Sequence, residues 1–389
     1  MVSPVRIILS KAFSPVSKRA GISPSRPALC VSSLSKSLTP DKLGKVNRLL
    51  ASEEYSDRFH RYEATDGTPG ALVTIFATRN KQDAGLVGDL HGNVERMDEI
   101  LEEHDQDLAD GRISLVFLGD LLHPERHGNK KNMDSSRELL RAAIALKYRY
   151  PEQVHFLCGN HDVILPGIKD LRQAVRIVDY LRNIKNTYEN DGAVLAHLVL
   201  RMGMDESISI SKKDGEKMIY QGIRFLRDMV EHHSLRGKSS RSIARMLMEY
   251  QDFFDFSPLA VMIEGCRGRT YAAHSPIIKG PLPGLMENML INARNNGLAK
   301  QLLSNKYNEG PNAYDAPDVC RVMAKLDCSA RRLNIIGAHV SKKSWAYLPF
   351  AEIPNYAIIH SNTEDTLGCV EVVDGVPRFS EIATAAQIA

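Results

Sequence analysis

Apolar and polar positions alternate along this chain in two rhythms. Short aliphatic, β-branched runs at Ala71–Phe76, Gly85–Val87, Ile113–Leu118 and Val154–Cys158 predict strands. The last three runs each lead into glycine and a polar cluster: Gly88-Asp-Leu-His-Gly-Asn93, Gly119-Asp120 and Gly159-Asn-His-Asp162. Apolar residues at helical spacing then predict helices over roughly 94–103 and 135–149. Strands separated by helices of that length imply βαβ units, a largely parallel sheet and an α/β fold. Such sheets bind ligands just beyond the carboxyl ends of their strands, where all three clusters fall.

The rhythm breaks at 167–248. Ile168, Leu171, Val175, Val178 and Leu181, then Ile219, Ile223, Leu226 and Val230, follow helical spacing. This stretch is expected to be a helical insertion, a hairpin or cap. It serves either as a packed subdomain or as a lid or partner-docking arm. His232 and His233 fall within it as an expected solvated helix end. Strands return at Leu259–Glu264, at Thr270–Ala273 before His274-Ser-Pro276, and at Asn334–Ala338 before His339. Tyr356–His360 and Cys369–Val373 follow, with Asp374-Gly375 as a hairpin turn. The main domain is therefore expected over 41–166 and 249–382. No fixed-period repeat is present, which argues against a solenoid or propeller.

Composition narrows the picture. In 389 residues, 43% apolar content suffices for a sizeable core. A formal charge of +3 gives no reason to expect nucleic-acid binding. Six scattered cysteines without a CxxC pair argue against a disulfide framework and fit reduced thiols in a soluble, cytoplasmic-type setting. No apolar run approaches the ~20 residues of a membrane span. The first forty residues hold ten serines, six basic residues and five prolines. They read as a disordered tail or as a secretion or organellar targeting signal.

The side chains that recur after the strands are Asp, His, Asp, Asn and His, with two isolated histidines later. A pair of divalent ions ~3.5–4 Å apart needs such a set, including one bridging carboxylate. Hard oxygen and imidazole donors suit manganese, iron or zinc, and the lack of cysteine donors argues against a structural zinc knot.

In order and content these motifs resemble the calcineurin-like metallophosphoesterase superfamily. Within it, residues 249–276 and Ile335-Ile-Gly-Ala-His339 resemble the PPP-type protein phosphatases. The resemblance covers about 85–165 and 249–375. It implies a four-layer α/β/β/α sandwich carrying the helical insertion. It also implies two divalent metal ions: Asp89 and His91 at the first, Asp120 bridging, and Asn160, His274 and His339 at the second. His161 would be the general acid, with a metal-activated water as nucleophile. The implied substrate is a phosphorylated protein or small phosphoester. The insertion and basic tail resemble, in architecture only, secreted bacterial effector phosphatases of the PPP type.

The chain departs from the PPP pattern. Gly119-Asp-Leu-Leu-His-Pro124 replaces GDxVDRG, so His123 stands for a supporting Asp and Pro124 for a phosphate-binding Arg. Asp162 stands where the pattern has Glu. Arg126, Lys130, Lys131 or a basic residue of the insertion is then expected to hold phosphate, with His123 a further contact. Arg267 and Arg269 are read first as a solvated turn, with phosphate binding as the alternative. Two alternatives to a phosphoprotein phosphatase stay open: a nucleotide or dinucleoside-polyphosphate hydrolase, and an inactive phosphatase-like binding module.

Overall fold

The computed structural model describes residues 29–52, 56, 58–77, 83–122, 130–165, 167–184, 194, 197–198, 201–202, 212–282, 284, 286–305, 313–326, 332–338, 346–361, 369–379 and 383–384. In chain order the elements are α1 (Val31–Ser37), α2 (Pro40–Ala51), β1 (Phe59–Glu63), β2 (Pro69–Phe76), β3 (Asp83–Val87), α3 (Val94–Ala109), β4 (Ile113–Phe117), α4 (Lys130–Arg149) and β5 (Val154–Phe156). Then come α5 (Leu171–Asn183), α6 (Lys212–Ser234), α7 (Ser240–Phe256), β6 (Ala260–Glu264) and β7 (Gly268–Ala273). Last are α8 (Met286–Ile291), α9 (Ala299–Ser304), α10 (Ala316–Leu326), β8 (Arg332–Ala338), β9 (Ala346–Leu348), β10 (Tyr356–Ile359), β11 (Cys369–Val373), β12 (Val376–Arg378) and β13 (Ala383–Thr384).

The strands form two sheets, ordered β1-β2-β6-β7-β8-β10-β9-β13 and β12-β11-β3-β4-β5. Side-chain alternation shows how they stack. Val73, Ile75, Val261, Ile263, Ala272 and Ile336 of the larger sheet share one buried cluster with Ala84, Leu86, Val116 and Val370 of the smaller. Their neighbours along the same strands, among them Leu72, Met262, Tyr271, Ile335, Leu115 and Phe117, belong to a second cluster with the helices. The central strands are thus apolar on both faces, one turned to the partner sheet and one to a helical layer. This is the expected four-layer α/β/β/α sandwich. The expectation of a largely parallel sheet needs correcting. It holds for β3-β4-β5, but the larger sheet mixes parallel pairs such as β7–β8 with antiparallel ones such as β6–β7.

The Asp374-Gly375 turn joins antiparallel β11 and β12 with positive φ at both residues (51° and 78°), the backbone a two-residue hairpin of this hand requires. One boundary differs from the sequence reading. The unstructured tail expected to reach residue 40 gives way by Leu29, which is buried together with Val31, Leu34 and Leu38. Helix α1 lies on α4, where Arg141 donates to the carbonyls of Ser35 and Leu38 at 2.9 and 3.0 Å. Residues 1–28 fall outside the described residues.

Helix α7 runs past residue 248 to Phe256. Glu249 O accepts from Asn47 Nδ2 of α2 at 2.8 Å, and Phe253 packs on Phe156 of β5 at 5.8 Å between ring centroids. Helix α6 is tied to α4 through Arg137 and Asp228 at 2.7 Å. Helices α6 and α7 therefore pack against the sandwich, and α5 packs on both of them. His233, expected to be solvated, is buried, and burial pushes its imidazole down to about 3.

Candidate functional site

Three loops of the smaller sheet and two strand ends of the larger meet at one edge. After β3 the chain enters Gly88-Asp-Leu-His, and Asp89 forms a parallel bridge with His360 beyond β10. Gly88 N donates to Ser361 Oγ at 2.7 Å, so this loop is fastened to the other sheet. The Leu90, His91 and Gly92 amides donate to the carbonyls of Asp120 and Leu121 at 2.9–3.1 Å, knitting the first loop to the second. His91 and Asp120 themselves have positive φ, 47° and 51°. Non-glycine residues occupy that region at a cost of order 1–3 kcal/mol, so surrounding contacts must hold them there.

One such contact is the backing of Gly119 onto Gly159. A Cβ on Gly159 would fall 2.2 Å from Asp120 N, and one on Gly119 would fall 2.5 Å from Gly159 N. Only glycine at both positions lets the two backbones touch, which brings Asp120 beside the third loop. Asp162 completes the join. Its fully buried carboxylate accepts from the Leu121, Leu122 and Gly159 amides at 2.9, 3.2 and 3.0 Å. Burial, followed by the charge of Asp120, pushes this carboxyl up to about 7 against those N–H donors. Downstream, Gln251 Oε1 of α7 accepts from Ile164 N and Leu165 N, both at 2.8 Å, and fixes the loop's exit.

These supports present a compact donor set. Asp120 Oδ2 lies 3.8 Å from His91 Nε2, 3.8 Å from His161 Nε2 and 3.4 Å from His274 Nε2. Asp89 Oδ2 is 3.6 Å from His91 Nε2, and Asp89 Oδ1 is 3.6 Å from His274 Nδ1. Asn160 Oδ1 sits 2.7 Å from His274 Nε2. Two overlapping groups, His91–Asp120–His161 and Asp89–Asp120–His274, each gather ligand atoms within 4.8 Å of one another, and Asp120 belongs to both.

Asp89 is fully buried, yet neither of its oxygens nor His274 Nδ1 has a hydrogen-bond partner. A buried carboxylate left this way is costly unless a cation neutralises it, so the residues present fit divalent metal. Burial alone would raise the Asp120 carboxyl. His274, His161 and His91 outweigh that and hold it below the ordinary carboxylate range. Burial lowers the His161 imidazole to about 4, with Asp120 opposing. The His161 side chain is 15% exposed against 1–4% for His91, Asp120 and His274, so it stands at the opening of the site.

The structure thus brings together Asp89, His91, Asp120, Asn160, His161 and His274. His339, His123 and Arg126 lie outside the described residues, as do the side chains of Lys130 and Lys131. Arg269 is neither a solvated turn residue nor a phosphate ligand. It is buried and paired with Glu264 and Glu287. Sequence reasoning missed the contributions of His360 and Ser361. Their signal was present, since Tyr356–Ile359 is one more apolar strand running into a polar pair.

Comparison with known proteins gives one family match and weak structural likenesses. A family model described as calcineurin-like phosphoesterase matches residues 84–324, more than half of the chain. A protein serine/threonine phosphatase from Saccharomyces cerevisiae, described as similar to human PP5, is 14% identical over 89% of this chain and 84% of its own, with a TM-score of 0.47. A provisionally assigned diadenosine tetraphosphatase is 13% identical over 79% of this chain and 99% of its own, with a TM-score of 0.31. Likenesses at these scores carry no argument about substrate. No curated protein matches the sequence.

Proposed function

Because the chain belongs to the calcineurin-like phosphoesterase family, we propose that it hydrolyses phosphomonoesters with the aid of two divalent metal ions and that its substrates are phosphoproteins. Asp89, His91, Asp120, Asn160, His274 and His339 are the proposed ligands, and the oxygen and imidazole donors favour manganese, with iron or zinc as the other options. Ions held there would act as Lewis acids on the phosphoryl group and make water nucleophilic near neutral pH.

The chain's own residues divide the remaining work. Asp120, shared by both donor groups, would serve as a ligand to both ions. His161, at the mouth of the site, would protonate the leaving oxygen as the ester bond breaks, the negative charge of a bound phosphoryl group offsetting the burial that otherwise lowers its imidazole. Its backbone N donates to Asp120 Oδ1 at 2.8 Å, which ties the acid to the bridging carboxylate. Asp162 holds the second and third loops together through the Leu121, Leu122 and Gly159 amides.

One observation carries this reading: Asp89, buried without a hydrogen bond, faces histidines within 3.6 Å on two sides. The phosphoprotein substrate is supported by the chain's order after the insertion. Helix α7 ends at Phe256, the antiparallel pair β6–β7 follows, and His274 precedes Ser275-Pro276, as in the PPP pattern. The test is phosphate release with added manganese from phosphotyrosine and phosphoserine peptides, set against a panel of nucleotides. Turnover of at least one phosphopeptide at a higher kcat/KM than any nucleotide is expected. Turnover of nucleotides alone would refute the substrate class. No metal-dependent turnover of any phosphoester, with metal bound, would refute the activity.

A further inference from the structure

The insertion carries a charge pattern that phosphoester chemistry does not use. Leu235, in the turn between α6 and α7, is 81% exposed, far above the other exposed large apolar side chains among the described residues, Tyr62 at 45% and Tyr148 at 38%. Arg236 and Lys238 share its turn, Arg241 and Arg245 lie one helical turn apart on α7, and Arg182 ends α5, all of them exposed. Arg182 Nη1 donates to Ser240 Oγ at 2.8 Å, which sets the end of α5 against the start of α7. Arg236 Nη1 donates to His232 O at 3.1 Å, and Lys238 Nζ touches Met246 Sδ at 3.9 Å. A hydroxyl, a carbonyl and a thioether neutralise no charge. Among the described residues, the exposed acids nearest in sequence, Asp179 and Glu231, leave an excess of cations.

A lone exposed leucine needs no explanation; a leucine at an apex flanked by cations does. A stable protein interface buries ~800 Å² per partner around an apolar core depleted of charge, and one leucine ringed by cations supplies no such core. A bilayer interface asks for what is here: an apolar side chain to enter the acyl boundary and cations to meet lipid phosphates. We propose that the α6–α7 turn docks the protein peripherally on an anionic membrane surface. This is compatible with the finding that no described helix is long and apolar enough to cross a membrane.

The test is co-sedimentation of the full chain with phosphatidylcholine vesicles, with and without phosphatidylserine. Binding is expected only with phosphatidylserine and is expected to weaken as salt rises. The triple variant R236Q/K238Q/R241Q is expected to lose at least ~10-fold of that binding, and Leu235→Ser to lose severalfold. Both variants should keep wild-type thermal melting, since the changes lie on exposed positions. Equal binding to both vesicles, no binding to either, or wild-type binding by the triple variant would overturn the proposal. So would retention by polyglutamate without retention by vesicles, which would make the partner an acidic protein.

Discussion

At the scale of single residues, Asp120 and His161 lie side by side but are assigned different work, and mutation separates the two roles. Asp120→Asn keeps the shape and removes the charge shared by both donor groups. It should abolish metal-dependent turnover and lower the metal content of purified protein measured by elemental analysis. His161→Ala should cut kcat by ~10²–10⁴, the range typical of general acid catalysis, while metal content stays at wild-type level. If His161→Ala instead lost metal, His161 would be a ligand, a role its position in the His91–Asp120–His161 group also allows. The chemically rich residues were legible in the sequence because they stand in a fixed order after strands. Asp162 was legible only as a departure from a pattern. Its partners are backbone amides of Leu121, Leu122 and Gly159, and a sequence does not display which amides converge on a carboxylate.

At the scale of elements, the loops matter through how closely they approach. Gly159→Ala places a methyl 2.2 Å from Asp120 N, and the backbone must move to admit it. A displacement near 1 Å at a catalytic group can cost ~100-fold, so turnover should fall at least that far while circular dichroism remains native. Near-wild-type turnover in this variant would mean that the approach of the two loops is not needed for chemistry.

Helix α4 offers a separate test. Lys147 is buried, with Nζ donating to Pro151 O and Val154 O at 2.6 and 2.7 Å. Burial, followed by Arg61, pushes its ammonium down to about 7. Between that value and the ordinary lysine value of ~10.4, the unfolded chain binds a proton that the folded chain has released. Stability should therefore rise with pH across that window. Lys147→Met should flatten the rise in thermal melting recorded from neutral to alkaline pH, and an unchanged slope would contradict the assignment.

Strand and helix positions were largely readable from periodicity, as β2, α3 and α4 show. Helix α1 was not, because its serines and the prolines around it mask the spacing of Val31, Leu34 and Leu38. Burial against α4 overrides that weak local propensity.

For the whole molecule, the donor set spans both sheets: Asp89, His91, Asp120 and Asn160 follow strands of the smaller one, His274 a strand of the larger. Cations gripped between them should stabilise the folded chain by mass action, ~2.7 kcal/mol at one hundred times the dissociation constant. Manganese should raise the melting temperature of wild type by several degrees over chelator-treated protein, and Asp120→Asn should lose most of the shift. An equal shift in both proteins would place the stabilising metal elsewhere. What the sequence could not convey at this scale is the mixed order of the larger sheet. Pairings such as β2 with β6 join residues almost two hundred positions apart, and no local pattern encodes such a neighbour.

The bridge between Asp89 and His360 also bears on synthesis. A ribosome must deliver some 270 further residues before the first loop meets its last supporting strand. Nascent chains stopped short of residue 360 would carry every aspartate of the centre and still lack the wall it leans on. Hydrolytic power is therefore expected only in chains extended past residue 361.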